Sequence, residues 1–377
     1  MTTVTLRRLN RATLARQSLL DRRSASVDET VSQIVAVQAQ EPGSPYVALW
    51  NRIAGFDPAD LDRAFAHRTV VKATLMRITL HAVASDDYPW FQTGMQGTLR
   101  ASRLNDRRFR SLGLSVEQAD GVVPELLEFL SDPRDNGEVR AWLEERFGER
   151  PDPGPWWALR SYAPVVHAPT GPPWSFGRRP SYTAAPTPPV RDGDAAVAYL
   201  IRRYLAGFGP ASARDVAQFA LLRQSTIRPA LDVLSEELVS LEGPDGTTLF
   251  DLPGGVVPDE DTPAPPRLMA MWDSVLLAYA DRSRVIPDEH RAHVIRRNGD
   301  VLPTLLVDGW VAGVWRPTGG GIEAMAFDAL DDEAWDALAV EARSLMPLIA
   351  SRDPELYRRY DGWWEKLPEG SRVVLGG

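Results

Sequence analysis

The stretch VSQIVAVQAQEPGSPYVALWNRI, residues 31–53, places two amides, Gln38 and Gln40, where an apolar helix should be finishing. Ser26 followed by Glu29 reads as a capping box, and Val27, Val31, Ile34 and Val35 follow at helical spacing. These features predict a helix over residues 26–40. At about 100° per residue Gln38 falls in the middle of the apolar face, one turn beyond Ile34. Pro42 restricts Glu41 and should end the helix just after the pair. A regular helix through Gln40 would point the two amides about 200° apart, whereas a chain that unwinds after Gln38 turns both to one side. Two readings stay open on chemistry alone: a polar site in a cleft, or a pair that caps or satisfies buried backbone groups.

The 377 residues suffice for two to four domains, and 44% hydrophobic with 25% charged residues is an ordinary globular composition. No apolar run approaches about 18 residues, and the N-terminal MTTVTLRRLNRATLARQ lacks an apolar signal core, so a cytoplasmic protein with no membrane partner is expected. The absence of cysteine excludes disulfides, thiolate chemistry and cysteine-ligated zinc or iron–sulfur centres. A formal net charge of −9 is unfavourable for a nucleic-acid binder. The charge is uneven, however: Arg100, Arg103, Arg107, Arg108 and Arg110 crowd one segment against Asp106, while Asp328, Asp331, Asp332 and Glu333 gather elsewhere. Such a stripe holds a short duplex, or is simply a solvated helix or loop.

The clearest module spans 194–252. The apolar helix AAVAYLIRRYLAGFG is followed by Ser212 capping ARDVAQFALL, a third helix from about Thr226 to Leu234, and two short strands around Pro-Asp-Gly. Three helices and a hairpin is the winged-helix plan. The helix that would read bases carries Thr226, Arg228, Asp232 and Glu236 with Pro229 near its start, a poor set for the major groove. The N-terminal part follows a similar plan, with helices near 10–20, 26–40 and 58–67 before the β-rich VVKATLMRITLHAVA. Further along, VVPELLEFL and EVRAWLEERFG read as helices, and PVVHAP and PSYTAAP as strands within a Pro-rich tract. DLPGGVVPDEDTPAPP, residues 251–266, reads as a linker. Strand-like LLVDGW and VAGVWRP and a final helix, DDEAWDALAVEARSLMPLIA, close the chain.

Several chemistries find no support. His290 and His293, beside Glu289, have loose spacing and no third ligand, so a surface helix rather than a metal site is expected. No P-loop, dinucleotide fingerprint or Gly-x-Ser-x-Gly elbow occurs, and no cofactor is expected. In TLMRITLHAV, alternation would put Arg77, Thr79 and His81 on one strand face and Met76, Ile78, Leu80 and Ala82 on the other. Asp281 is expected to pair with Arg282 or Arg284, and Trp156, Trp157 and Trp174 to be core. Lys72 and Lys366 have no distinctive setting, so no Schiff-base step is expected.

Four stretches together resemble the bacterial AlkZ-like DNA glycosylases, in the winged-helix group that includes YcaQ. They are VQAQEPGSPYVALWNRI with its Gln-x-Gln, LMRITLHAVASDDYPWF (75–91), MWDSVLLAYADRSRVIPDEH (271–290) and LPTLLVDGWVAGVWRP (302–317). The resemblance implies an α+β chain of three tandem winged-helix modules and a C-terminal β-rich, barrel-like domain. The modules would span 1–90, 91–190 (degenerate, with a long Pro-rich wing) and 191–255, with the last domain at 265–377. It implies a monofunctional hydrolase of N-glycosidic bonds, a monomer acting on double-stranded DNA that carries an N-alkylated purine, including bulky adducts or crosslinks. Gln38 and Gln40 would be catalytic. Arg77, His81, the arginines from Arg100 to Arg110 and the hairpin at Asp308-Gly309 would contact DNA. Asp273, an acid among apolar residues, has two readings: a structural ion pair with Arg282 or Arg284, or a carboxylate facing the site that would support positive charge on the sugar. The rival from another class is a non-catalytic winged-helix regulator, and a third reading is a protein-interaction scaffold.

Overall fold

The computed structural model describes residues 3–376 and shows a mixed α+β fold. The strands are β1 (Val37–Gln38), β2 (Val70–Thr74), β3 (Leu80–Ala84), β4 (Arg134–Asp135), β5 (Val165–Ala168), β6 (Ser181–Ala184), β7 (Val239–Glu242), β8 (Thr248–Asp251), β9 (Arg267–Leu268), β10 (Thr304–Val307), β11 (Trp310–Thr318), β12 (Gly321–Ala326) and β13 (Ser371–Leu375). One antiparallel sheet runs β1-β3-β2-β5-β6-β4 and so joins strands from the N-terminal and middle regions. A second runs β13-β12-β11-β10-β9, and β7-β8 form a hairpin. The second sheet is open at β9 and β13, so no closed barrel forms among the described residues.

Local signals explain much of this. Ser212 and Asp215 close a reciprocal capping box on the helix Ala213–Ala220. Gly246, with φ 79°, supplies the left-handed turn between β7 and β8. The helices Gly193–Phe208, Ala213–Ala220 and Gln224–Val233 precede that hairpin in the order expected. No helix is long and apolar enough to cross a membrane among the described residues.

The deciding stretch differs from its reading. Ser26 and Glu29 do form a capping box, but the helix stops at Gln33 rather than beside Pro42. Val35 then takes a left-handed φ of 74°, and the chain enters β1. Tertiary contacts account for the early stop. Gln33 Nε2 donates to Arg16 O at 3.0 Å, Gln17 Nε2 donates to Gly207 O at 2.9 Å, and Ser274 Oγ donates to Ala36 O at 2.7 Å. Gly207 is required for this approach, because a Cβ there would lie 2.6 Å from Val35 Cγ2. Val35, Ala36, Val37 and Ala39 are all buried, so the apolar run continues through a strand that periodicity reads as helix.

Candidate active site

β1 pairs with β3 so that Gln38 stands opposite His81, and β2 sets Ala73 opposite the same histidine. Gln38 is 3% exposed and Gln40 is exposed. Because the chain is extended here, the two glutamines lie two residues apart on a strand and its continuation. The backbone locks them together: Gln40 N donates to Gln38 Oε1 at 2.8 Å, and Leu80 N donates to Gln40 Oε1 at 3.5 Å. Gln38 therefore also does what the backbone-satisfying reading requires. One lone pair of its oxygen stays available.

His81 is fully buried. Its Nδ1 donates to Thr79 O at 3.1 Å, which leaves Nε2 to accept from Arg77 Nη2 at 3.4 Å. Burial, reinforced by the Arg77 charge and opposed by the Thr79 carbonyl, pulls the imidazole down to about 3. It is neutral at physiological pH. Arg77 does not sit in a strand as alternation predicted. It occupies a tight 3₁₀ turn, Met76–Ile78, in which Arg77 (φ 54°) and Ile78 (φ 60°) are both left-handed. The turn returns the guanidinium to His81 and over the Phe219 ring. Met76 and Ala82 pack inward as expected, but His81 is buried too, because this part of the sheet is covered on both faces.

Glu41 leaves on the other side. Tyr360 Oη donates to its carboxylate at 3.4 Å, and burial raises its pKa against the pull of Arg359. Lys72 has a setting its sequence did not reveal. It is buried, its ammonium lies 4.5 Å from the Phe176 ring centroid, and burial, opposed by Glu41, draws it down to about 8. Lys72 aligns with Ala82, and Ala82 with Val37, so alternation sends it to the face opposite Gln38 and His81. Lys366 is exposed.

Other expected contacts are used elsewhere. Asp273 is taken up by a buried bidentate pair with Arg52, 2.9 Å at both oxygens, and accepts from Val275 N. Asp281 pairs with neither Arg282 nor Arg284 but accepts from Ser283 N at 3.0 Å, while Arg284 donates to Pro210 O. Asp308 and Gly309 do form a left-handed hairpin turn, yet the tip is docked on the helix Leu6–Arg16. Arg7 and Arg11 pair with Asp308, and Asn10 Nδ2 donates to Gly309 O at 2.8 Å. A docked tip is not poised to enter a groove. Gly319-Gly320, between β11 and β12, forms a further exposed turn on this sheet.

The arginine stripe is likewise partly spent. Arg100 is bidentate to Asp120 at 2.6 and 2.7 Å, Arg103 donates to Ser161, and Arg108 pairs with Asp106. Arg107 and Arg110 are exposed and make no ion pair among the described residues. Trp156 and Trp174 are core, but Trp157 is only partly buried and lies under Arg103 and Arg108. His290 is not on a solvated face: it is buried against Phe327, with Nδ1 at 3.0 Å from Val311 O and Nε2 at 3.0 Å from Asp328.

The structure thus brings together Gln38, Gln40, His81 and Arg77, and Ser274 ties the 271–290 segment to them through Ala36. Known proteins show the same framework. A solved structure of Streptomyces sahachiroi DNA glycosylase AlkZ superposes with a TM-score of 0.79 at 21% identity, covering 93% of this chain and 98% of that one. In sequence, the interstrand DNA cross-link repair glycosylase of Streptomyces sahachiroi is 27% identical over 321 residues, 80% of this chain and 85% of its own length. The family described as DNA glycosylase AlkZ-like matches residues 31–348. With that match spanning most of its length, the chain belongs to the AlkZ-like DNA glycosylase family.

Proposed function

We propose that this protein is a monofunctional DNA glycosylase that removes N-alkylated purines, N7-alkylguanine above all, from double-stranded DNA. The reading extends to bulky adducts and to crosslinks, the latter being the substrate in the name of the Streptomyces relative. It takes the chain as a monomer built from winged-helix modules at 1–90, 91–190 and 191–255, followed by the β-rich region at 265–377.

The observation that carries the reading is the arrangement of Gln38 and Gln40, two amides on an extended edge beside a neutral histidine and an arginine. Neither amide titrates near neutrality, and His81 stays unprotonated, so the cluster holds no strong general base or acid. That suits a cationic leaving group. An N7-alkylguanine already carries positive charge, and departure of the base leaves an oxocarbenium-like sugar that needs only a well-placed water. The Gln38 and Gln40 oxygens would hold that water, with Gln38 oriented by the Gln40 N–H. Unmodified purines, which need protonation to leave, would be spared. Lys72 points to the opposite face, in keeping with hydrolysis without a Schiff base.

The test is release of free base from duplex DNA carrying N7-methylguanine, with borohydride added to a parallel reaction. Release without a borohydride-trapped adduct supports a monofunctional glycosylase. DNA binding without release supports the regulator, and absence of DNA binding supports the scaffold.

A further inference from the structure

Arg282 belongs to the segment MWDSVLLAYADRS, yet it lacks the carboxylate its neighbour promised. Asp281 is turned to solvent and satisfies the Ser283 N–H. Arg282 is partly buried, its Nε is closed off from solvent with no acceptor, and it makes no ion pair among the described residues. Its side chain is thus held by packing rather than by a partner.

Two cations bear on it electrostatically: Arg291, whose charge acts on Arg282, and Arg77, on which Arg282 acts and which also has no carboxylate partner among the described residues. One helix gathers Arg77 and Arg282. The Met76–Ile78 turn packs on Ala213–Ala220, and Phe219 O of that helix accepts from Arg77 at 3.4 Å. Asp215 of the same helix accepts the Ala280 N–H at 2.9 Å, two residues before Arg282. After burial, the charge of Arg282 is the main influence lowering Arg77, to about 10. Two like charges held together, partly desolvated and without a counterion, oppose folding unless an anion joins them. The left-handed backbone of Arg77 and of the β-branched Ile78 adds strain at the same place, and such strain gathers at functional sites. His81 Nε2 fixes the direction of Arg77.

We propose that Arg77 and Arg282 together grip a single phosphate diester of the damaged strand, next to the nucleotide presented to Gln38 and Gln40. A guanidinium pair suits this ligand: beyond the N–H groups given to Phe219 O and His81, Arg77 keeps Nε–H and one N–H on each terminal nitrogen, and the terminal nitrogens of Arg282 make no hydrogen bond among the described residues, so both can donate to phosphate oxygens. The inference rests on the reading as a DNA enzyme, and adds Arg282 and a one-phosphate stoichiometry to it. Because the grip anchors the nucleotide rather than reading its base, it acts the same on every sequence.

The test is a thermodynamic cycle on the full chain. Duplexes carrying a tetrahydrofuran abasic analogue are made with one neutral methylphosphonate stepped along the phosphates flanking the lesion. Affinity is measured for wild type, Arg77→Gln, Arg282→Gln and Arg282→Lys, each checked to melt no lower than wild type. One methylphosphonate position should weaken wild-type binding about tenfold and weaken Arg77→Gln and Arg282→Gln far less, at the same position for both. Arg282→Lys, which keeps the charge but not the fork, should fall between. If no position couples to either arginine, or the two arginines couple to different phosphates, the proposal is overturned. The wild-type scan needs no variant and stands even if a substitution disturbs folding. Base release measured in parallel keeps the questions apart: release without coupling removes the grip alone, and coupling without release removes the glycosylase reading alone.

Discussion

Gln38 stands directly opposite His81 on neighbouring antiparallel strands, which sets a polar amide beside an imidazole that burial keeps neutral. The pairing joins two segments that lie about forty residues apart and makes the cluster a property of the sheet rather than of one helix.

That neutral histidine has a measurable consequence for stability. An exposed imidazole in the unfolded chain titrates near 6.5, while His81 titrates at about 3 and His167 also well below its ordinary value, both chiefly through burial. Between these values the unfolded state binds more protons at the two histidines, so their contribution to stability falls as pH drops below about 6.5, outweighing the opposite contribution of Glu41, whose carboxyl burial raises. Each histidine contributes up to about 1.4 kcal/mol per pH unit there. Urea unfolding from about pH 7 to 5, above most carboxylate titrations, should show the loss, and His81→Asn should show a shallower slope.

Base release from a cationic lesion should be nearly independent of pH between about 6 and 7, below the value of about 8 to which burial draws Lys72, because no group in the cluster changes its charge there. A bell-shaped profile would point to a titrating acid or base that this account does not contain.

Gly207 lets the helix Gly193–Phe208 touch the connector that leads into β1. Gly207→Ala would set a methyl 2.6 Å from Val35 Cγ2 and 3.3 Å from Gln17 Nε2. Overpacking of this kind costs about 1–3 kcal/mol. The melting temperature should drop and base release should fall further than the unfolded fraction explains, since Val35 leads directly to Gln38.

Asp273 and Arg52 form a buried ion pair remote in sequence. Asp273→Ala leaves Arg52 buried without its partner, a loss of about 3–5 kcal/mol. Chemical denaturation checks this directly. Were Asp273 instead a stabiliser of sugar charge, its loss would lower turnover of the folded protein at unchanged stability.

These residues also show how far the sequence could be read. The Ser26–Glu29 box, the Ser212 cap, the helix Pro58–His67 and the Pro-Asp-Gly hairpin depend on neighbours in the chain, and each is found. The end of the helix at Gln33 is not local: it is set by Gln17, Gly207 and Ser274 from three other elements. An apolar run buried on all sides carries no period that separates strand from helix. The two glutamines stood out because amides in such a run need a reason. Arg282 and Lys72 did not stand out, since lacking a partner and being buried are facts of tertiary structure alone. The docking of Asp308 on Arg7 and Arg11 was hidden for the same reason, its partners lying some three hundred residues away.

The most direct test of the central claim compares single-turnover release of N7-methylguanine from duplex DNA by wild type, Gln38→Ala and Gln40→Ala, with DNA affinity measured alongside. Each substitution should lower the rate constant by about a hundredfold or more while affinity changes little, as expected when groups that act in the transition state are removed. Release at near wild-type rates by both variants, with the fold intact, would show that the glutamines only hold the backbone and would contradict the account.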